Sequence, residues 1–244
     1  MRPLAARDLL QVWERGEGQH PVDRALTLLA AACPERTWEE LAALSIGQRD
    51  ALLLSLRELT FGPRLDGFAE CPQCREHLEF TVNVADLCTA EAMEPREPEP
   101  TLTVEEFEVR FRLPNSLDLA AVAHCDDVTV VRDLLVRRCV LQTRQGETEV
   151  AVESLPETVI AALAAHMTAC DPLSEVQLDL HCPECGHRWP MILDIVSFFW
   201  AEIAVQAKRL LREVHTLARA YGWREADILA MSARRRQLYL EMVT

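Results

Sequence analysis

An α+β fold, mostly helical, with two β-hairpins set far apart in the chain, is what three features of this 244-residue sequence predict. Apolar residues recur at helical spacing in the first third and again from residue 197 onward. Two short segments instead alternate in polarity on either side of a CPxC turn. Between them lies EAMEPREPEP at 91–100, a Pro- and Glu-rich run that cannot build a core and reads as a linker or exposed loop.

Residues 4–13 form a short amphipathic stretch, and 22–32 a second that ends before Pro34. Thr37 and Glu40 have capping-box spacing and open a short helix over 38–43. Ser45 and Gln48 repeat the spacing and open a longer helix, with Leu52, Leu53, Leu56 and Leu59 on one face. Gly62 near the C-cap and Pro63 stop it. Residues 101–112 read as strand, 117–123 and 128–141 as helices, and 143–147 as a turn. Asp126 and Asp127 fit a helix N-terminus, where acids favour the positive dipole end. Ser154 as N-cap and Pro156 in the first turn open a helix to about residue 169.

From Ser197 the residues Phe199, Ile203, Ala207, Leu210, Val214, Leu217 and Tyr221 form a helical stripe, which Gly222 ends. One last helix follows from about Arg224 to Met242, with Ile228, Met231, Leu238 and Met242 inward. The organisation expected is an N-terminal helical region (1–67), split hairpins (68–90 and 176–196), an inserted α/β subdomain (91–175) and a C-terminal helix pair (197–244).

The nine cysteines carry the chemistry. Cys71 and Cys74 form one CPxC turn, and Cys182 and Cys185 the other. Two such turns face to face supply the four soft ligands of a structural zinc site, at about 2.3 Å each. The pairs are 107 residues apart, where ordinary ribbons use about 15–20. The expected arrangement is thus a split zinc ribbon with one structural zinc per chain, tying residue 71 to residue 185. Separate sites completed by His77, His181 or His187 remain an alternative, as do merely reduced thiols. A thioredoxin-type redox pair is a weaker reading, since neither CxxC opens a helix after a strand. Cys33, Cys88, Cys125, Cys139 and Cys170 read as buried small hydrophobes.

Charge narrows the partners. The net charge is −14 and the pI about 5.0, a poor whole-surface match for nucleic acid or anionic lipid. No apolar run reaches eighteen residues, and the opening residues break into charge too early for a secretory signal, so a reducing cytoplasm is expected. There is no phosphate-cradling loop, GxSxG or HExxH, and only eight glycines. No catalytic residue and no small-molecule substrate is assigned, and an enzyme is not expected. Phe198, Phe199 and Trp200 stand in a row and cannot all face one core. With Tyr221 and Trp223 they are the candidate partner-binding residues.

Residues 41–87 combine a leucine-rich helix containing an arginine, a Thr-Phe-Gly turn, a CxxC hairpin and an aliphatic strand. In that combination they resemble the baseplate hub assembly chaperone family of T-even-type tailed phages. The ending YGWREADILAMSARRRQLYLEMV, at 221–243, is similar to short tail-associated proteins of contractile injection clusters. The resemblance implies a non-enzymatic protein that helps assemble the hub or baseplate of a phage tail or phage-derived contractile injection system. Its partners would be baseplate or tail-hub proteins, met in the cytoplasm on assembling particles. The second CPxC hairpin and the helical ending depart from the resembling block. The competing class is a zinc-ribbon module of transcription or nucleic-acid machinery. Glu70, Glu76 and Glu79 around the first turn speak against it, since nucleic-acid ribbons carry basic and aromatic arms.

Overall fold

The computed structural model describes residues 1–88 and 99–243. Residues 91–98 of the expected linker lie outside the described residues. Four helices come first: α1 (Ala6–Gly16), α2 (Pro21–Ala32), α3 (Trp38–Ala42) and α4 (Ile46–Phe61). Both capping boxes form. The Thr37 hydroxyl accepts from the Glu40 N–H while the Glu40 carboxylate accepts from the Thr37 N–H, and Ser45 and Gln48 repeat the exchange at α4. Gly62, at φ 96°, ends α4 in a conformation that would strain an L side chain. Leu53, Leu54 and Leu56 are buried, but Leu59 is exposed. The buried arc of α4 is turned toward Leu54, because several helices share this core.

Strands β1 (Arg64–Glu70) and β2 (His77–Asn83) pair antiparallel, with Gly67 opposite Phe80. A Cβ at Gly67 would lie 2.4 Å from the Phe80 ring, so only glycine lets the ring cross the strand. The short helix α5 (Val84–Leu87) follows.

The next sheet has order β3 (Thr101–Val104), β4 (Phe107–Phe111), β5 (Val140–Gln145), β6 (Thr148–Glu149), all antiparallel. The single strand expected over 101–112 is therefore a hairpin. Glu105 takes φ 53° and turns the chain where no glycine or asparagine marks a turn. Helices α6 (Ser116–Val122) and α7 (Val128–Cys139) lie between β4 and β5, and α8 (Glu157–Cys170) follows β6. The Asp127 carboxylate caps α7, accepting from the Thr129 and Val130 N–H groups. Ser154 does not cap α8. It closes a 3₁₀ turn, its hydroxyl donating to the Ala151 carbonyl. Phe107, Val109 and Phe111 are buried with Val159 and Leu163 of α8.

The second hairpin, β7 (Gln177–His181) and β8 (Arg188–Ile192), leads into α9 (Ile195–Tyr221), which the Asp194 carboxylate caps. Gly222, at φ 71°, ends α9 in the left-handed region. The final helix expected after it is two: α10 (Glu225–Ala230) and α11 (Ala233–Glu241). Met231 is extended, and the Ser232 hydroxyl caps α11. This break turns Leu238 and Met242 outward, where an inward face was expected.

The apolar stripe of α9 from Phe199 to Leu217 is buried among α1, α2, α4 and α10. One core thus joins residues from Leu4 to Val84 with residues from Ile195 to Leu229. Arg57 of α4 reaches Glu202 of α9 with two bonds, 2.9 and 2.6 Å, and donates to the Gly62 carbonyl at 2.6 Å. The intervening segment rests on the start of α4. The Ile46 N–H donates to the Pro114 carbonyl, and the Gly47 N–H to the Asp171 carboxylate at 2.9 Å. An anion there also complements the positive end of the α4 dipole.

Within that segment Asp118 is a fully buried hub. It accepts from Arg112 at 2.5 and 2.9 Å, from Arg138 at 2.8 Å and from the Asn115 N–H. Desolvation pushes its pKa up, but Arg112, the Asn115 amide and Arg138 outweigh that and hold it below the usual carboxylate range. A depressed folded-state pKa gives stability that is present above the unfolded value and lost as pH falls through the folded one. Asp118→Asn should therefore cost about 2 kcal/mol at neutral pH. That cost should shrink as the medium is acidified below about pH 4. Denaturant titrations of both proteins at several pH values check it; a pH-independent difference would remove the ionic explanation.

Candidate metal centre

The two CPxC turns have the same local construction. In the first, the Cys71 N–H donates to the Glu76 carbonyl and the Arg75 N–H to the Cys71 carbonyl, each at 2.9 Å. In the second, the Cys182 N–H donates to the His187 carbonyl at 2.8 Å and the Gly186 N–H to the Cys182 carbonyl at 3.0 Å. Both turns need a left-handed residue right after the second cysteine. Gly186 supplies it at φ 74° without strain, and Arg75 supplies it at φ 63° against its Cβ. Such strain persists where the surroundings over-determine the turn.

The four sulfurs meet although 107 residues separate the pairs. Cys71 Sγ lies 3.6 Å from Cys185 Sγ, and Cys74 Sγ lies 3.5 Å from Cys182 Sγ. All four ligand atoms fall within 4.8 Å of one another. A tetrahedron of four sulfurs at about 2.3 Å from a metal has edges of about 3.8 Å. The donor set therefore fits one tetrahedral ion. Cys71 and Cys182 are buried, Cys74 and Cys185 exposed. Leu78, Leu178, Leu180 and Leu193 back the cluster. Among the described residues no histidine joins it, so the separate sites built with His77, His181 or His187 are not formed. His187 instead stacks on Trp189, with ring centroids 5.8 Å apart.

The backbone of each turn favours thiolate. Desolvation pushes the Cys71 thiol up, but the Cys74 and Gln73 amides and the Cys74 and Cys185 sulfurs bring it down to about 7. Cys74 receives the Glu76 amide, yet desolvation and the sulfurs of Cys185, Cys182 and Cys71 push it up to about 12. Three close sulfurs thus oppose ionisation of the fourth. A cation among them removes that conflict, which is how metal binding couples to proton release. Metal affinity should accordingly fall as pH drops through 7 and below, since protons then compete for the sulfurs.

The five residues expected to bind a partner do not form one surface. Phe199 is fully buried, edge-on to Phe61 at 5.8 Å, and is closed to any partner in this state. Phe198 is half-buried and packs toward both the helical core and the hairpins. Trp200 lies under the Arg24 guanidinium, 4.7 Å from its ring centre, and over Gly16. Tyr221 and Trp223 stack at 4.4 Å at the other end of α9, with Tyr239 edge-on to both. Consecutive helical residues point about 100° apart. Because helices and hairpins flank the first turns of α9 on different sides, all three consecutive aromatics find neighbours within the molecule.

The structure therefore defines an α+β protein whose two distant CxxC hairpins converge on one cluster of four cysteines, spaced so that it could hold a metal ion. A family model described as T4 bacteriophage base plate protein matches residues 5–200. The chain belongs to that family, which makes it a phage base plate-related protein. The match spans both hairpins and ends within α9, leaving α10 and α11 beyond it. No curated protein and no solved structure matches the chain. Among the described residues no helix is long and apolar enough to cross a membrane.

Proposed function

We infer that this protein is a non-enzymatic assembly factor for the hub of a phage base plate, or of the base plate of a phage-derived contractile injection system, held together by one structural zinc. The family match over residues 5–200 carries the base plate part of the reading. The resemblance of residues 41–87 to hub assembly chaperones supplies the finer role. Zinc is the ion of choice because four cysteine sulfurs at tetrahedral spacing are a soft set with a d¹⁰ preference. Four thiolates fill the coordination sphere, so the ion would have no open position for a substrate or water. Its part is to pin the chain before the inserted segment to the chain after it.

The partners on this reading are hub or base plate proteins, met in the cytoplasm as particles assemble. The nucleic-acid alternative gains nothing from the hairpins, whose exposed Glu70, Glu76, Glu79, Asp179 and Glu184 would repel phosphate.

The test is an affinity pull-down from cells assembling particles, run beside purified finished particles. Hub or base plate proteins in the pull-down, with this chain absent from particles, are the expected result. The same partners with the chain retained in particles would make it a structural component. Recovery of polymerase or nucleic acid would overturn the reading. Elemental analysis of protein purified without chelator should give one zinc per chain.

A further inference from the structure

Two surfaces stand out against the rest of the molecule. The first is cationic. Residues 205–244 hold eight Lys and Arg against four Asp and Glu, a net charge of +4, so the rest of the chain carries −18. On α9 the exposed residues Lys208, Arg212, His215 and Arg219 follow one another at steps of four, three and four, which puts them on one face. Lys208, Arg212 and Arg219 have no ion pair among the described residues, because Glu213 is taken by Arg209 and Arg236. Beside this row, α9 and α11 flank an open groove of about 280 Å³, lined by Arg209, Arg212, Thr216, Gln237 and Leu240 together with Glu213, which Arg209 and Arg236 neutralise, and Glu241 at its end. That is small for a drug-sized ligand and suits a single large side chain.

The second surface is its complement. Phe68 stands on the outward face of the first hairpin and is 74% exposed. Glu70 flanks it on β1 and Glu79 lies directly across on β2, while Asp66 on its other side is paired with Arg64 at 2.9 Å. Glu70 and Glu79 have no ion pair among the described residues. The apolar ring matches the size of the groove, and the carboxylates beside it match the unpaired Lys208, Arg212 and Arg219 of the neighbouring row.

One copy cannot join these surfaces to each other. The hairpin packs against α9 near Phe198, while the groove walls start at Arg209, about 17 Å further along the helix. We propose that Phe68 and the carboxylates around it dock into the α9–α11 groove of a second copy of this chain. Each copy then offers one surface of each kind, and the contact is heterologous. Repeated through a closing rotation it makes a ring; without closure it makes a filament. The contact does not depend on the hub reading.

Sedimentation velocity on the full, metal-loaded chain tests it. Association that grows with protein concentration at low salt and is lost near 0.5 M salt, about where screening is nearly complete, is expected. Phe68→Ser should weaken association about tenfold, as removal of a central aromatic anchor does. Two charge reversals, Glu70→Lys with Glu79→Lys and Lys208→Glu with Arg212→Glu, should each weaken it by at least about tenfold. All these positions are exposed, so the fold should tolerate the changes. Mixing the two reversed proteins should restore association, since each supplies the charge the other lost. A wild-type chain that stays monomeric at low salt overturns the proposal and leaves the groove to an acidic partner of another kind. Association that none of the variants changes overturns it too.

Discussion

Cys182→Ser is expected to abolish stoichiometric metal binding and to lower stability by about 5 kcal/mol, the scale of opening a closed loop of about 100 residues. In a chain of this size that is a fall of roughly 10–20 °C in the unfolding midpoint. The reasoning starts from what else holds the hairpins. Their shared apolar cluster contains only four buried leucines besides Cys71 and Cys182. Two two-stranded sheets with so little covering are marginal by themselves. Removing one ligand also leaves three sulfurs crowded together, with Cys74 already resisting ionisation. Cys125→Ser, which removes a thiol outside the cluster, should leave metal content unchanged. Thermal unfolding with metal analysis on both variants reads the result. A Cys182→Ser protein that loses its metal yet unfolds at the wild-type temperature would show that the cluster is not a structural clamp.

Arg57→Ala should cost about 3 kcal/mol, the lower end for breaking a buried ion pair. Arg57 is 4% exposed in its side chain, and the Glu202 carboxylate at 27% keeps some water. That asymmetry sets the magnitude: the carboxylate left behind can be partly solvated, but the vacated site cannot. The same guanidinium also holds the Gly62 carbonyl, so the exit of α4 into β1 loosens with it. The expected signature is lower stability together with weaker metal retention, although Arg57 touches no cysteine. Replacing both partners by apolar residues of similar size should recover much of the loss, since a packed apolar pair avoids the desolvation cost. Equilibrium unfolding of the single and paired variants decides. Equal stability of wild type and Arg57→Ala would mean that the pair contributes nothing net.

The helical part of the fold was legible wherever the signal is local. Thr37 with Glu40, and Ser45 with Gln48, announce their helices because a capping box involves only four consecutive residues. The stripe from Phe199 to Leu217 announces a buried helix because its period is 3.6. The clustering of the four cysteines was legible for a similar reason, as two CPxC turns on alternating arms. The turn at Glu105 was not, nor was the left-handed backbone that the first CPxC turn imposes on Arg75. Each places an ordinary side chain in left-handed backbone, and that is imposed by strand pairing and knuckle geometry rather than by composition. The break at Met231 was missed because an apolar residue gives no stop signal, although Ser232 three residues before Arg235 is a usable cap.

Long-range pairs were out of reach. Nothing in the sequence connects Arg57 to Glu202, or Gly47 to Asp171, across more than a hundred residues. Asp118 had one faint sign, its capping-box spacing from Asn115, but the arrival of Arg112 and Arg138 depends on the sheet. The aromatic row at 198–200 does not face one core: Phe198 packs toward both the helical core and the hairpins. Helices cover one side of the first turns of α9 and the hairpins another, which leaves Ser197, Ala201 and Val205 as the exposed face.

The core that joins Leu4 to Leu229 has a consequence for the order of events on the ribosome. Helices α1 to α4 leave the exit tunnel long before α9 exists to cover their leucines. Cys71 and Cys74 likewise wait while the 107 residues before Cys182 are added, about 5–20 s at ordinary rates of elongation. Until then the nascent chain presents an uncovered helical face and half a thiol cluster. Folding is thereby deferred to the end of synthesis, and a truncated product ending before α9 should be degraded rather than accumulate as a partial structure.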